Sequence, residues 1–377
     1  MKRFSILGST GSVGTQTLDI IREYRQEFEL IGLVARRSSE KLLKQAIEFR
    51  PKYVVSYEKP TEEWLNALPE GTLYLHGEEG LMAVLEESQE ILNAISGVDG
   101  ILPTYHILTM GKKLLASNKE SVVCLPDLIR KNREKVVPVD SEHNALFQLL
   151  QMVRKEHIKK VYLTASGGPF KDLPVEDLEK VTVEETLRHP RWKMGSKITV
   201  DSATLMNKGI EVLEAMTLFD LDLDHIRVVI HPQSYVHGAL QLIDGSFIFH
   251  VSDTDMRIPV LHALFYPERK PFPFEGKEII DLSNITFEEV DRKKFPALDL
   301  CKWVAQMGGV YVPVLIGADE AAVELFLKGR IKFTQIHLVV EEVLSSVTFK
   351  DPENIEDLLK VIDWAYHKGL AVGEKLA

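Results

Sequence analysis

From the first residues to about Val139, apolar and polar positions follow a two-part rhythm. Short apolar runs have the length and β-branched content of buried strands: FSIL (4–7), ELIGLV (29–34), KYVVS (52–56), TLYL (72–75), EILNAIS (90–96), KKLLAS (112–117) and KVVPV (135–139). Between them, apolar residues recur every three to four positions, as in Thr15–Tyr24 and Ser39–Phe49, and predict helices. Strand and helix in alternation predict the α/β class, with a parallel sheet covered on both faces. After Val139 the rhythm changes. KKVYLTASGGPF (159–170) reads as a strand entering a glycine loop, and the alternating residues around Asp244-Gly245 read as a hairpin. A mixed or antiparallel sheet with helices is expected here. YPERKPFPF (266–274) carries three prolines and reads as a linker. From about Arg292 the pattern is helical and predicts a C-terminal helical bundle. The expected division is 1–138, 139–265, 266–291 and 292–377.

Composition narrows the function classes. The chain has 377 residues, 45% hydrophobic and 27% charged, as in a soluble enzyme of two or three domains. A net charge of −11 speaks against nucleic acid as a partner, so any anion site must be local. No apolar run is long enough for a membrane-spanning helix. The N-terminal run is too short for a secretion signal and meets glycine at once, so it reads as a first strand. Cys124 and Cys301 fit no disulfide framework or metal spacing, which agrees with a reducing, cytoplasmic setting.

In SILGSTGSVG (5–14), Gly8, Gly11 and Gly14 fall between the first strand and the first helix. Glycines there let the backbone turn and approach a pyrophosphate, while the helix N-terminus offers free N–H groups. The spacing departs from the usual dinucleotide fingerprint, but the context is that of a Rossmann-like N-terminal domain. After the second strand no acidic residue stands ready for a ribose hydroxyl. Arg36 and Arg37 do, beside Ser38 and Ser39, and guanidinium groups suit a 2′-phosphate; NADP(H) is expected rather than NAD(H).

PVDSEHNALF (138–147) follows the last strand of this part. In extended chain Asp140 and Glu142 face one side, and two close carboxylates call for a divalent cation. The same letters also read as a helix cap with Glu142 in the first turn, slightly the better reading of this stretch alone. A second stretch, ITVDSATLMNKGIEVLEAM (198–216), weighs for the cation. If a helix runs from Ala203, then Asn207, Glu211 and Glu214 share a face and Lys208 adjoins it. Gly209, mid-helix, points to a close approach by ligand or backbone. Ser166 with Gly167 and Gly168 can form an anion nest. His189, Arg191, Trp192 and Lys193 form a cationic, aromatic loop suited to closing over a charged substrate.

With these stretches in view, the chain resembles the 1-deoxy-D-xylulose 5-phosphate reductoisomerase family, of the non-mevalonate route to isoprenoids. The resemblance runs nearly end to end and is carried by LGSTGSVG, ASNKES, PVDSEHNA, SGGPF, HPRWKMGSKITVDSATLMNKGIEVLEA, HPQSYVHG and DMRIP. It implies that Asp140, Glu142 and Glu211 hold a divalent ion (Mg2+, Mn2+ or Co2+). It implies that Ser166, Ser202, Asn207, Lys208 and His189 hold the phosphate of a sugar-phosphate substrate. Lys119 and Ser141 would meet the substrate's carbonyl and hydroxyl side, with Trp192 and Met194 on a mobile flap and His237 and Met256 lining the site. NADPH contacts would fall on Thr10, Gly11, Ser12, Val13, Arg36, Arg37, Ser38, Asn118, Glu120 and Gly195. The resemblance further implies a homodimer, and a reaction that breaks and re-forms a carbon–carbon bond before hydride reduces the resulting aldehyde. The family usually has glycine and asparagine at Arg36 and Ser38, and an asparagine-rich segment where IGADEAAVELF (316–326) stands. Two other readings remain open. A semialdehyde dehydrogenase-like enzyme would need a nucleophilic cysteine, and a NADP-binding sensor would need no metal carboxylates.

Overall fold

Each of the seven apolar runs becomes a strand: β1 (Lys2–Leu7), β2 (Phe28–Ala35), β3 (Tyr53–Ser56), β4 (Leu73–His76), β5 (Glu90–Asn93), β6 (Lys113–Ala116) and β7 (Val136–Pro138). The computed structural model describes residues 1–188, 195–282 and 284–376. The seven strands pair in parallel in the order β4-β3-β2-β1-β5-β6-β7. The winding direction reverses between β1 and β5, and the glycine turn follows β1, where such sheets open a ligand crevice. Pro138, which cannot donate to a ladder, closes the edge strand.

The described chain divides into two units. The first comprises Met1–Asn118, Asp127–Asn144 and Asp255–Gly276; the second comprises Lys119–Pro126, Ala145–Thr254 and Lys277–Ala377. In the first unit the Arg257–Phe265 helix returns to the Rossmann-like sheet and packs beside the Ser12–Glu23 helix. Phe265 meets Phe28 edge-on at 5.6 Å, and Phe28 meets Phe4 at 5.6 Å, so three rings tie the returning helix to β1 and β2.

The second unit is built on a four-stranded mixed sheet, β8 (Ile158–Ala165), β9 (Ile226–Ile230), β10 (Val236–Leu242) and β11 (Phe247–Val251), ordered β11-β10-β8-β9. The Asp244-Gly245 hairpin forms as expected, with Gly245 at φ 91°. Val212 and Ala215 of the Met206–Phe219 helix pack with Leu146, Val161, Leu163 and Leu240 in one apolar cluster. The C-terminal helices Pro296–Met307, Tyr311–Leu327, Ile336–Ser345 and Ile355–Leu376 form the expected bundle.

The helix expected from Ala203 takes a different form. One helix runs Ser196–Thr204, the chain turns at Leu205 with φ 59°, and a second helix runs Met206–Phe219. A left-handed leucine costs about 1–2 kcal/mol, which burial of its side chain (2% exposed) offsets. Gly209 is indeed a point of close approach, but to the Pro296–Met307 helix. A Cβ there would collide with Cys301. Gly209→Ala therefore sets a helix-propensity gain of about 1 kcal/mol against overpacking that costs about 1–3 kcal/mol. The net expectation is a destabilised protein, checked by its denaturant midpoint; an unchanged or raised midpoint would mean that the helices can part at no cost.

Candidate active site

The turn after β1 is built for close backbone approach. Gly8 lies at φ 82°, and Gly8 N and Ser9 N both donate to Val34 O, at 2.9 and 3.0 Å. A Cβ at Gly14 would strike the backbone of Gly8 and Ser9, so the first helix sits tight on the turn. Gly11 caps that helix without a side-chain bond, and exposed Ser12 and half-buried Val13 open it. Thr10 O accepts from Lys41 Nζ at 2.7 Å. Arg36 and Arg37 are exposed beyond β2; Arg37 pairs with Glu58 at 3.3 Å, and Ser38 Oγ meets Ser56 Oγ at 2.6 Å. Asn118 is buried and donates to Ile95 O and Gly97 O at 2.9 and 2.8 Å, bracing the loop after β5.

At the end of β7 the extended reading of Asp140 and Glu142 gives way to the helical one. The Ser141–Leu150 helix starts at once, with Asn144 N bonded to Asp140 O at 2.8 Å. Asp140 Oδ1 accepts from Ser141 N at 3.1 Å, and Ser141 Oγ donates to Glu142. Both carboxylates stay partly exposed while His143, behind them, is fully buried with Nδ1 3.9 Å from Asp140 Oδ2. Asn144 Nδ2 donates to Pro138 O at 2.8 Å and fixes the strand-to-helix turn. Met256 stands half-buried at the start of the Arg257–Phe265 helix.

In the second unit, the predicted polar stripe is an ion network. Glu211 is 1% exposed. Its carboxylate accepts from Asn207 Nδ2 at 2.5 Å and Lys208 Nζ at 2.5 Å, and lies 3.4 Å from Lys119 Nζ. Lys119 also donates to Asn207 Oδ1 at 2.6 Å. Two ammonium groups thus hold one buried carboxylate, as removal from water requires. Glu214, one turn on, is equally buried. Gly167 and Gly168, at φ 88° and 68°, carry the loop after β8 up to the next helix; a Cβ on Gly168 would meet Ser202 O at 3.0 Å. Ser166 Oγ accepts from Gly168 N at 3.2 Å within that loop. The Ser166 loop therefore lies against the helix that carries Ser202; Asn207 and Lys208 follow just beyond the Leu205 turn, and His237 is buried on β10. Gly195 is exposed at the head of the Ser196–Thr204 helix. Glu120 is buried next to Lys119 in sequence and turns toward Lys197, at 3.9 Å. His189, Trp192 and Met194 lie outside the described residues.

Three family descriptions match along the chain: 1-deoxy-D-xylulose 5-phosphate reductoisomerase over residues 4–125, its C-terminal domain over 136–219, and DXP reductoisomerase C-terminal domain over 251–368. A 1-deoxy-D-xylulose 5-phosphate reductoisomerase of Aquifex aeolicus is 59% identical over 99% of this chain and 98% of its own length. That of Persephonella marina is 47% identical over 96% and 95%. The chain belongs to the 1-deoxy-D-xylulose 5-phosphate reductoisomerase family. Among solved structures, a reductoisomerase in complex with NADPH, fosmidomycin and magnesium superposes with a TM-score of 0.92 at 34% identity, covering 100% of this chain and 99% of that one. The reductoisomerase of Zymomonas mobilis in complex with NADPH gives 0.92 at 32% identity, covering both chains fully.

Within this reductoisomerase family member the thiols are structural. Burial pushes both Cys124 and Cys301 well above the ordinary thiol range, so neither is poised as a nucleophile. Sequence reasoning missed His143, whose i, i+3 spacing from Asp140 was the available signal, and Lys41, a cation in the first turn of the helix after β2. Replacing Glu211 by Leu strands two buried ammonium groups and is expected to cost about 3–5 kcal/mol of stability in denaturant unfolding. A second substitution, Lys208→Met, should recover part of it; a double variant no more stable than the single one would deny the ion network.

Proposed function

We propose that this chain converts 1-deoxy-D-xylulose 5-phosphate to 2-C-methyl-D-erythritol 4-phosphate, with NADPH and a divalent metal ion. The observation that carries the reading is the buried Glu211 carboxylate on which Lys119, Asn207 and Lys208 converge. In the functional division that goes with it, 1–138 bind NADPH, 139–265 hold metal and substrate, 266–291 link, and 292–377 form the helical part.

The residues fit both groups. Asp140, Glu142 and Glu211 offer hard oxygen donors, which suit Mg2+ or Mn2+. The turn leaves no room for side chains at Gly8 and Gly14 and little at Gly11, as a pyrophosphate cradle needs, with Thr10, Ser12, Val13 and Gly195 as further cofactor contacts. Arg36, Arg37 and Ser38 supply charge and hydroxyl for the 2′-phosphate. Asn118 and Glu120 are assigned to the nicotinamide side. When bound, the ion supplies Lewis-acid polarisation of the substrate's carbonyl, and NADPH supplies hydride.

The chain's own groups do the rest. Ser166, Ser202, Asn207, Lys208 and His189 bind the substrate phosphate, so binding energy is gained away from the reacting carbons. Lys119 holds positive charge next to the reacting oxygens, and Glu142 with Ser141 holds or releases a proton there. His237 and Met256 line the site, and Trp192 excludes water over it. His143, behind Asp140, keeps that carboxylate oriented.

The partner is a second copy of the same chain. Phe247, Phe249 and Val251 on β11, at the sheet edge, are 47%, 45% and 39% exposed, and Phe249 stacks on Phe287 at 5.9 Å. An apolar face of this kind beside an open strand edge calls for cover. The cell compartment is the cytoplasm, in keeping with two buried free thiols.

Two outcomes test these readings. Glu211→Gln should lower NADPH consumption with deoxyxylulose phosphate by about a thousandfold or more while leaving NADPH affinity within about twofold, and a chelator should do the same reversibly. Retained turnover in either case would refute the metal assignment. Phe249→Lys should convert a dimer to a monomer in sedimentation; a dimer in both would place the interface elsewhere.

A further inference from the structure

Besides the Glu211 network, the second unit holds a second buried cluster. Lys197 Nζ donates to Asp201 Oδ2 at 2.6 Å and to Asp319 Oδ2 at 2.5 Å, and lies 3.9 Å from Glu120 Oε1. Asp201 is 3% exposed and Asp319 0%, while the Lys197 side chain is 15% exposed. The other groups facing it are Glu320 and the buried thiol of Cys301. Oδ1 of Asp201 and Oδ1 of Asp319 are also buried, and among the described residues no donor reaches either. Asp201 and Asp319, both buried, therefore share the Lys197 ammonium, with Glu120 at its margin. If both aspartates were ionised, one buried negative charge would exceed that ammonium, which such surroundings do not sustain.

The cluster also joins three helices. Lys197 and Asp201 are one turn apart on the Ser196–Thr204 helix, which carries Ser202 and leads through Leu205 to Asn207, Lys208 and Glu211. Asp319 comes from the Tyr311–Leu327 helix and Glu120 from the Lys119–Cys124 helix, whose first residue is Lys119. We propose that the Asp201–Asp319 pair keeps one proton beside the Lys197 ammonium, and that this buried clamp positions the helices presenting Lys119 and Ser202 to the substrate. Lys197, Asp201 and Asp319 are then positioning residues. Burial, with Asp319 adding to it, moves Asp201 well above the usual carboxylate range, in agreement with a retained proton.

The sign of the pH dependence follows. A carboxyl that holds its proton more tightly folded than unfolded makes folding take up a proton. Stability is then complete below the ordinary aspartate range and declines as pH rises towards the folded value. Asp201→Asn replaces the protonated carboxyl with a permanently neutral amide, and Asp319→Asn removes the neighbouring charge that helps hold the proton on it; either substitution removes that decline.

The test uses the full chain. Melting temperatures are measured from about pH 6 to pH 9 for the wild type, D319N and D201N, and kcat against pH for the wild type, D319N and K197M. The wild-type melting temperature should fall with pH, and in each amide variant it should fall less than about half as far. Parallel curves would overturn the shared proton. K197M should lower kcat by about tenfold to a hundredfold with the KM for NADPH held within about twofold, the signature of misplaced rather than absent groups. An unchanged kcat would overturn the positioning role. If K197M does not fold, the alkaline limb of kcat decides: it moves to higher pH in D319N if the clamp positions the site, and stays in place if it does not. The positioning role rests on the reaction proposed above, whereas the melting curves need neither substrate nor metal, so the two failures are distinguishable.

Discussion

A carboxylate taken out of water must be met by cations or by hydrogen-bond donors, and the second unit is arranged around one that is. Glu211, 1% exposed, is matched by Lys208 from its own helix, by Lys119 from another, and by Asn207 bridging them. The arrangement ties the Met206–Phe219 helix to the Lys119–Cys124 helix, because sliding one past the other would part Lys119 from both Asn207 and Glu211. It also explains the position of the Lys119–Cys124 helix, which must deliver its first residue to that carboxylate. Placing charge this way orders the site before a substrate arrives, which is what electrostatic preorganisation requires.

The same constraint recurs in a second cluster with the balance reversed. Two ammonium groups share Glu211, whereas Asp201 and Asp319 share the one ammonium of Lys197. The first network is suited to receiving anions, a phosphate or the oxygens of a bound sugar. In the second, the proposed role of the Asp201–Asp319 pair is to hold a proton. Adjacent helices thus carry one network that addresses the ligand and one that addresses the frame.

Much of this was legible in the letters. The seven strands of the first sheet are short and bounded by turn residues, so each apolar run identified one. The stripe Asn207, Glu211, Glu214 was legible because helical spacing alone puts those residues on one face. Other features depended on tertiary partners that no local pattern names. The break at Leu205 exists because its side chain is buried, and Gly209 is needed because Cys301, from a distant helix, lies against it. Asp140 and Glu142 allow an extended pair or a helix start; the helix starts at Ser141 with Glu142 in its first turn, and both carboxylates stay partly exposed. The Lys197 cluster offered an i, i+4 signal with Asp201, but Asp319 comes from too far along the chain for spacing to reveal it.

The proposed assignment of Asp140, Glu142 and Glu211 to a single ion is tested most directly by calorimetric titration of Mn2+ into this chain. The account predicts one ion per chain, with affinity lowered at least about tenfold by each of Asp140→Asn, Glu142→Gln and Glu211→Gln. Unchanged Mn2+ affinity in the Glu211→Gln protein would contradict it.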